Sequence, residues 1–273
     1  MQEYGFLPGL NIEPDRFWAE CREFAVRHRM DAVLAYMYKM YEKARLADRA
    51  LTRAALMALG EQVAFFPGVV DWFPRVNRYG ALLGLRVEHY IISSGLQEII
   101  EGSAIAAHFK AVFAAAFLYG PDGRAIWPAS AVNYTSKTQY LFRINKGILD
   151  VTNDRDLNDY TPEELRRIPF PNMIYVGDGL TDVPSMKMTR SKGGVSIAVH
   201  PPGDTRLVDA MLVQQRVDYA LPADYSAGGE MERTVFMLLR RIRAMGDGAA
   251  LHNRQMEGAL RRLDGEHKSF AER

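Results

Sequence analysis

From Phe65-Phe66-Pro67-Gly68 onward the chain alternates short apolar runs with stretches of helical periodicity. That alternation is what a parallel sheet with helical crossovers requires, and it excludes an all-helical or all-strand fold. The strand-like runs are Val87 to Ser93, Val112 to Tyr119, Asn172 to Gly177, Val195 to Val199 and Val217 to Ala220. Helices are expected at about 69 to 84, 95 to 101 and 136 to 146, after Gly-Asp-Gly, and in the remaining gaps. Pro121-Asp122-Gly123, followed by Ala125-Ile126-Trp127, predicts a turn and a returning strand. Before Phe65 the texture differs. From Pro14 to about Gln62 the residues are mostly good helix formers, with Phe17, Trp18, Cys21, Phe24 and Ala25 as one apolar stripe and Val33, Leu34, Met37, Tyr38 and Tyr41 as another. The expected organisation is a helical unit at 1–64, an α/β core at 65–245 and a polar C-terminal tail at 246–273 that is solvated and frayed at its end.

Composition narrows the function classes. Lys and Arg number 34 against 33 Asp and Glu, a net charge of +1, so there is no global field to hold nucleic acid or an anionic membrane. Met1-Gln2-Glu3-Tyr4-Gly5 lacks the basic and apolar regions of a secretory leader. The longest apolar stretch, 104–120, is interrupted by His108 and Lys110 and is shorter than the ~20 residues a spanning helix needs. The one cysteine, Cys21, has no partner within the chain and reads as a buried thiol. These features together predict a cytoplasmic protein with neither nucleic acid nor membrane as partner. They leave the oligomeric state open.

In open α/β sheets, ligands bind beyond the carboxyl ends of the strands, and three such places carry chemistry. Tyr90-Ile91-Ile92-Ser93-Ser94-Gly95 brings hydroxyls and backbone N–H donors to a turn, where they can hold a phosphate oxygen or simply cap a helix. Lys137 is expected in the first turn of a helix, where the macrodipole disfavours a cation. Either an anion or solvent compensates it there. Met173-Ile174-Tyr175-Val176-Gly177-Asp178-Gly179-Leu180-Thr181-Asp182 is the most specific feature: a buried strand delivers two carboxylates across a glycine-bracketed turn. Asp178 points into the crevice and Asp182 supports it, a set suited to Mg²⁺. A dinucleotide loop would carry a third glycine and no acid facing the pyrophosphate.

A hydroxyl, then a lysine, then Gly-Asp-Gly-x-x-Asp, in this order, resembles motifs two, three and four of the haloacid dehalogenase (HAD) superfamily, over about Phe65 to Ala220. The resemblance implies a Rossmannoid three-layer α/β/α core with an N-terminal helical cap of the C1 type. It also implies Mg²⁺-dependent hydrolysis of a small phosphorylated substrate through an aspartyl-phosphate. Ser93 and Lys137 then have catalytic roles, Ser93, Ser94, Gly95 and Lys137 hold phosphate, and Asp178 and Asp182 serve the metal. Cleavage of a carbon–halogen bond needs no Mg²⁺, and the two acids argue against it. Lys39, Tyr41, Lys43 and Arg45 of the helical unit either face the site or form a solvated helix face. His89 and His200, which flank strands, read equally as acid–base groups and as packing.

Motif one of that family, an apolar strand ending in Asp-x-Asp whose first Asp attacks phosphorus, has no counterpart here. Asp154-Arg155-Asp156 has the spacing but lies in a polar loop with no strand before it. Tyr4 to Gly9 is too rich in Pro and Gly for a central strand. The family's motif-one strand lies between those bearing motifs two and four, so its loss predicts that the Ile92 and Ile174 strands stand ~10 Å apart with facing edges unpaired, or close together. The expectation is a nucleophile outside this sequence. The alternative is a catalytically inactive relative that binds a ligand or partner.

Overall fold

The structure, a computed structural model, describes residues 6–271, with side chains described as far as Leu263. Met1–Gly5 and the charges of Glu266, Lys268, Glu272 and Arg273 lie outside that description. The chain opens with four helices, α1 (Phe6–Gly9), α2 (Pro14–His28), α3 (Ala32–Leu46) and α4 (Arg53–Gly60). Proline at the first position starts α2, Asp31 caps α3 by accepting from the Val33 and Leu34 amides, and Thr52 caps α4 through the Ala55 amide. The buried face of α3 is Val33, Tyr36, Met37, Met40 and Ala44, rotated from the stripe expected at Val33, Leu34, Met37, Tyr38 and Tyr41. Tyr38 and Tyr41 are exposed, and Tyr38 stacks flat on Phe24 at 5.0 Å. Aromatic surface at helical spacing was satisfied by ring stacking outside the core.

The α/β part follows as α5 (Val69–Leu82), β1 (His89–Leu96), α6 (Gln97–Glu101), β2 (Phe109–Tyr119), β3 (Ala125–Ser130), α7 (Ser136–Lys146), α8 (Asp154–Asn158), β4 (Ile174–Gly177), α9 (Val183–Ser191), β5 (Val195–His200), α10 (Arg206–Val213), β6 (Tyr219–Pro222) and α11 (Glu230–Ala271). The strands form two three-stranded sheets, ordered β1-β2-β3 and β4-β5-β6. β1 is parallel to β2, β2 and β3 form the expected hairpin, and β4, β5 and β6 are all parallel. Among the described residues no ladder joins β1 to β4. Their near edges carry no ladder partner, and the six strands stand as two separate sheets.

Helices cover both sides. Trp72, Phe73 and Val76 of α5 and Met231, Val235 and Leu239 of α11 pack on Ile197, Val199 and Leu221. On the other side Tyr140, Leu141 and Ile144 of α7, with α9 and α10, pack on Phe113, Tyr175 and Ala198. The four-helix block shares a third cluster with Leu96, Ile99, Ala115 and Phe117. Where α4 meets α6 the backbones nearly touch: a Cβ on Gly102 would sit on the Met57 carbonyl, closer than any real carbon contact. Glycine there sets how closely the helical block seats on the core.

α11 does not stop at the expected tail. It continues as helix through 246–271, with the side chains from Gly246 to Glu257 exposed. No helix among the described residues is long and apolar enough to cross a membrane.

Candidate functional site

Ser93-Ser94-Gly95 is not the helix start expected. β1 runs on to Leu96, and its register against β2 jumps from Ile92 opposite Phe113 to Leu96 opposite Ala115. Four residues on β1 span two on β2, so Ser93 to Gly95 bulge out of the ladder. The Ser93 hydroxyl accepts from the Gly95 amide at 3.0 Å, which holds the bulge in shape. The buried Ser94 Oγ has no hydrogen-bond partner among the described residues, and its carbonyl accepts from the Tyr36 hydroxyl at 2.7 Å. A residue of α3 thus touches the bulge directly, which the sequence did not single out.

Lys137 lies in the first turn of α7, fully sequestered, and donates to Asp182 Oδ1 at 2.7 Å. Thr181 Oγ1 is at the edge of reach, 3.5 Å away. The anion that offsets the cation at this helix start is therefore within the chain. Asp182 also accepts from the Tyr175 hydroxyl at 2.7 Å. Burial and the Asp182 charge hold the Tyr175 phenol protonated, well above its usual range. Gly177 is required here: a Cβ at that position would lie 2.7 Å from the Asp182 carboxyl carbon. The Gly-Asp-Gly turn therefore lets the Asp182 carboxylate fold back under the strand end. Asp178 is exposed and makes no hydrogen bond among the described residues.

This arrangement answers how far the site can hold a divalent cation. Asp178 offers a free carboxylate, whereas Asp182 is spent on Lys137 and Tyr175. No group of three or more His, Cys, Asp or Glu able to hold a metal exists among the described residues. Mg²⁺ takes one or two carboxylates together with waters and substrate oxygens, so these residues supply part of a site and not the whole.

The other candidates fall outside this centre. Lys43 pairs with Glu20 at 2.6 Å, and Lys39 pairs with Glu42 at 2.6 Å while lying over the Phe24 ring. Tyr41 and Arg45 are exposed. The contacts of the helical block to the site region come instead from Tyr36 and from Asp31, whose Oδ2 accepts from the Asn133 side chain at 2.9 Å. Asn133 in turn accepts from the Ser136 amide at the start of α7. His89 packs edge-on to Phe73 at 5.0 Å and bonds Asn77, and burial, with His108 nearby, pushes its pKa down to about 4. His200 bonds the adjacent Pro201 carbonyl. Asp154 is bound by the buried Arg143 at 2.6 Å, a structural pairing at the start of α8, a short helix where the sequence suggested a polar loop. Burial pushes the Cys21 thiol up to about 11, so it is inert near neutral pH.

No family model matches the chain. An uncharacterized protein of Borreliella burgdorferi is 30% identical over 155 residues, 50% of this chain and 53% of that protein. The chain thus spans about half the length of this curated relative. Among solved structures, a HAD family hydrolase from Salmonella enterica serovar Typhi superposes with a TM-score of 0.48 at 17% identity, covering 80% of this chain and 60% of the other.

Proposed function

We propose that the chain belongs to a HAD-type hydrolase that cleaves the phosphate ester of a small molecule, its nucleophilic Asp lying outside these residues. The observation that carries this reading is the buried Lys137–Asp182 pair beside an exposed, unengaged Asp178, at the strand end that the sequence marks with Gly-Asp-Gly. Phosphoryl transfer asks a protein mainly to position the group and to stabilise charge on its equatorial oxygens. The Ser93 hydroxyl, held by the Gly95 amide, and the Ser94 amide can donate to those oxygens, and Lys137 supplies the positive charge with its position fixed by Asp182. Bound Mg²⁺ would add charge neutralisation at Asp178, completed by oxygen donors from elsewhere. In this reading 1–64 is a cap that closes over the site and 65–245 is the catalytic core, with 246–273 an appended tail, and the protein works in the cytoplasm.

A second reading, a catalytically inactive binding protein, draws on one observation: the described Asp-x-Asp at Asp154 and Asp156 lies in the first turn of α8, held there by Arg143 and Asn153. The deciding experiment assays phosphate release from a generic aryl phosphate, with Mg²⁺, by this chain and by a chain extended upstream through any in-frame strand ending in Asp-x-Asp. Activity confined to the extended chain, and lost in Lys137→Met, is the expected result. Full activity from Met1 onward would refute an external nucleophile. Inactivity of both favours the binding protein.

A further inference from the structure

The two halves of the site lie on different sheets. The Ser93 bulge is part of β1, the Gly-Asp-Gly turn ends β4, and among the described residues no ladder joins the two strands. A latch does join them at their starts, where Arg167, ahead of β4, bonds Glu88, ahead of β1, and the Tyr90 hydroxyl. The functional groups sit at the opposite ends. What fixes the Ser93 hydroxyl relative to the Lys137 ammonium is therefore a set of helix and side-chain contacts.

Those contacts run through α3. The first turn of α7 is anchored on the β4 side by the 2.7 Å bond from Lys137 to Asp182. Asn133 is locked to that turn: its side-chain carbonyl accepts from the Ser136 amide at 3.1 Å, its backbone carbonyl accepts from the Lys137 amide at 3.1 Å, and its own amide donates to Ser136 Oγ at 2.7 Å. The Asn133 side-chain amide then donates outward to Asp31 Oδ2 at 2.9 Å. Asp31 Oδ1 accepts from the Val33 and Leu34 amides, so one carboxylate both caps α3 and ties it to the start of α7. Five residues on, ~7.5 Å along the helix axis, the buried Tyr36 donates to the Ser94 carbonyl at 2.7 Å. Trp18 packs edge-on against the Tyr36 ring at 5.8 Å, and Met37 and Met40 are sealed in the same cluster. Within the bulge, the bond between Ser93 and Gly95 is internal, and the buried Ser94 Oγ has no partner among the described residues. Neither of these ties the bulge to another element. The Tyr36 bond does.

We propose that α3 is the gauge of the phosphate site, with Asp31 and Tyr36 as positioning residues that set the Ser93 hydroxyl and the Ser94 amide relative to Lys137. A packed, capped helix is a rigid element, so a shift at either end is carried to the other. Neither side chain acts on the phosphoryl group itself; each works through the backbone it holds. Misplacement of such donors by about 1 Å can cost up to about 100-fold. The helical block is thus more than a cover, because the spacing of the phosphate donors depends on α3 being seated. The role in phosphate binding rests on the hydrolase reading, whereas the bridge from α7 to β1 does not.

The test uses this chain and two conservative variants. Tyr36→Phe removes one hydroxyl and keeps the ring, while Asp31→Ser keeps a capping oxygen and removes the arm to Asn133. Amide hydrogen exchange is followed across 93–96 and 135–138, with the β5 amides at 195–200 as a control. Each variant is expected to speed exchange by about threefold or more in both segments, its own and the one at the far end of α3, with the control unchanged. The melting midpoint should fall by no more than about 4 °C, the cost of one hydrogen bond in a chain of this size. A change confined to the segment beside the substitution would make the two bonds local and overturn the proposal, as would faster exchange in β5, which marks general loosening. Inorganic phosphate, titrated with Mg²⁺ and followed by phosphorus NMR, is the second readout. Its Kd should rise about tenfold in each variant and no further in the double variant, because both cut the same strut. Unchanged affinity, or losses that multiply, would overturn the positioning role. If the unsubstituted chain binds no phosphate while both exchange effects appear, the bridge stands and the phosphate role falls with the hydrolase reading.

Discussion

Lys137 and Asp182 show what a buried ion pair costs and specifies. Neither charge has more than a sliver of solvent, so removing one partner strands the other. Lys137→Ala is expected to lower unfolding free energy by about 3 kcal/mol in urea titrations, and Lys137→Met with Asp182→Leu to recover much of it. Equal loss in the single and double variants would show that the pair is not the source. Acid acts on a different residue pair. His89 is pushed down to about 4 by burial, so below pH 6.5 the unfolded chain takes up a proton that the folded chain refuses. Stability should therefore fall between pH 6.5 and 4, by no more than about 3 kcal/mol, and His89→Gln should flatten that window. Glu88 is held down to about 2 chiefly by its hydrogen bond to Arg167, so its stabilisation, present above pH 4.5, is lost only toward pH 2. Loss in that lower window should survive in His89→Gln.

Elements were legible where periodicity was long. The expected helix at 136–146 and the strands near 112–119, 172–177 and 195–199 match their observed counterparts closely. The bulge at Ser93 was not, because Ser-Ser-Gly satisfies a helix cap and a widened ladder equally well in one dimension. The face of α3 was misread by one step because Tyr38 and Tyr41 are apolar in sequence but stack or sit at the surface. The Lys137, Asp178 and Asp182 positions could be picked out from chain order. The pairing of Lys137 with Asp182 could not, since it is made across 45 residues. Tyr36 and Asp31 were likewise hidden, being ordinary helix residues until their partners are in place. The glycine contact between α4 and α6 gives a test at this scale. Gly102→Ala should push the two helices apart and cost about 1–3 kcal/mol in thermal or denaturant unfolding. An unchanged midpoint would mean that the helical block is held to the core by other contacts.

For the whole molecule, α11 sets the longest dimension: its 42 residues span ~63 Å at 1.5 Å per residue. Only its first part packs in the core, where Arg75 of α5 holds Glu232 at 2.7 Å. Ending the chain after Gly246 should leave the unfolding midpoint within about 0.5 kcal/mol of the intact protein, since exposed helix contributes little to the core. A larger loss would reveal contacts made by the distal segment. The split between the sheets has a mechanical consequence as well. Hydrogen-bonded strands transmit force along a continuous lattice, but here that lattice is in two pieces. The two leaves are coupled instead through the packing of α5, α7 and α11, the Arg167 to Glu88 latch, the Lys137 to Asp182 pair and backbone hydrogen bonds such as that from the Ile168 amide to the Asn145 carbonyl. Along the line between β1 and β4 the described sheet hydrogen bonds therefore offer no resistance to the two leaves parting, and that resistance falls to the contacts around them.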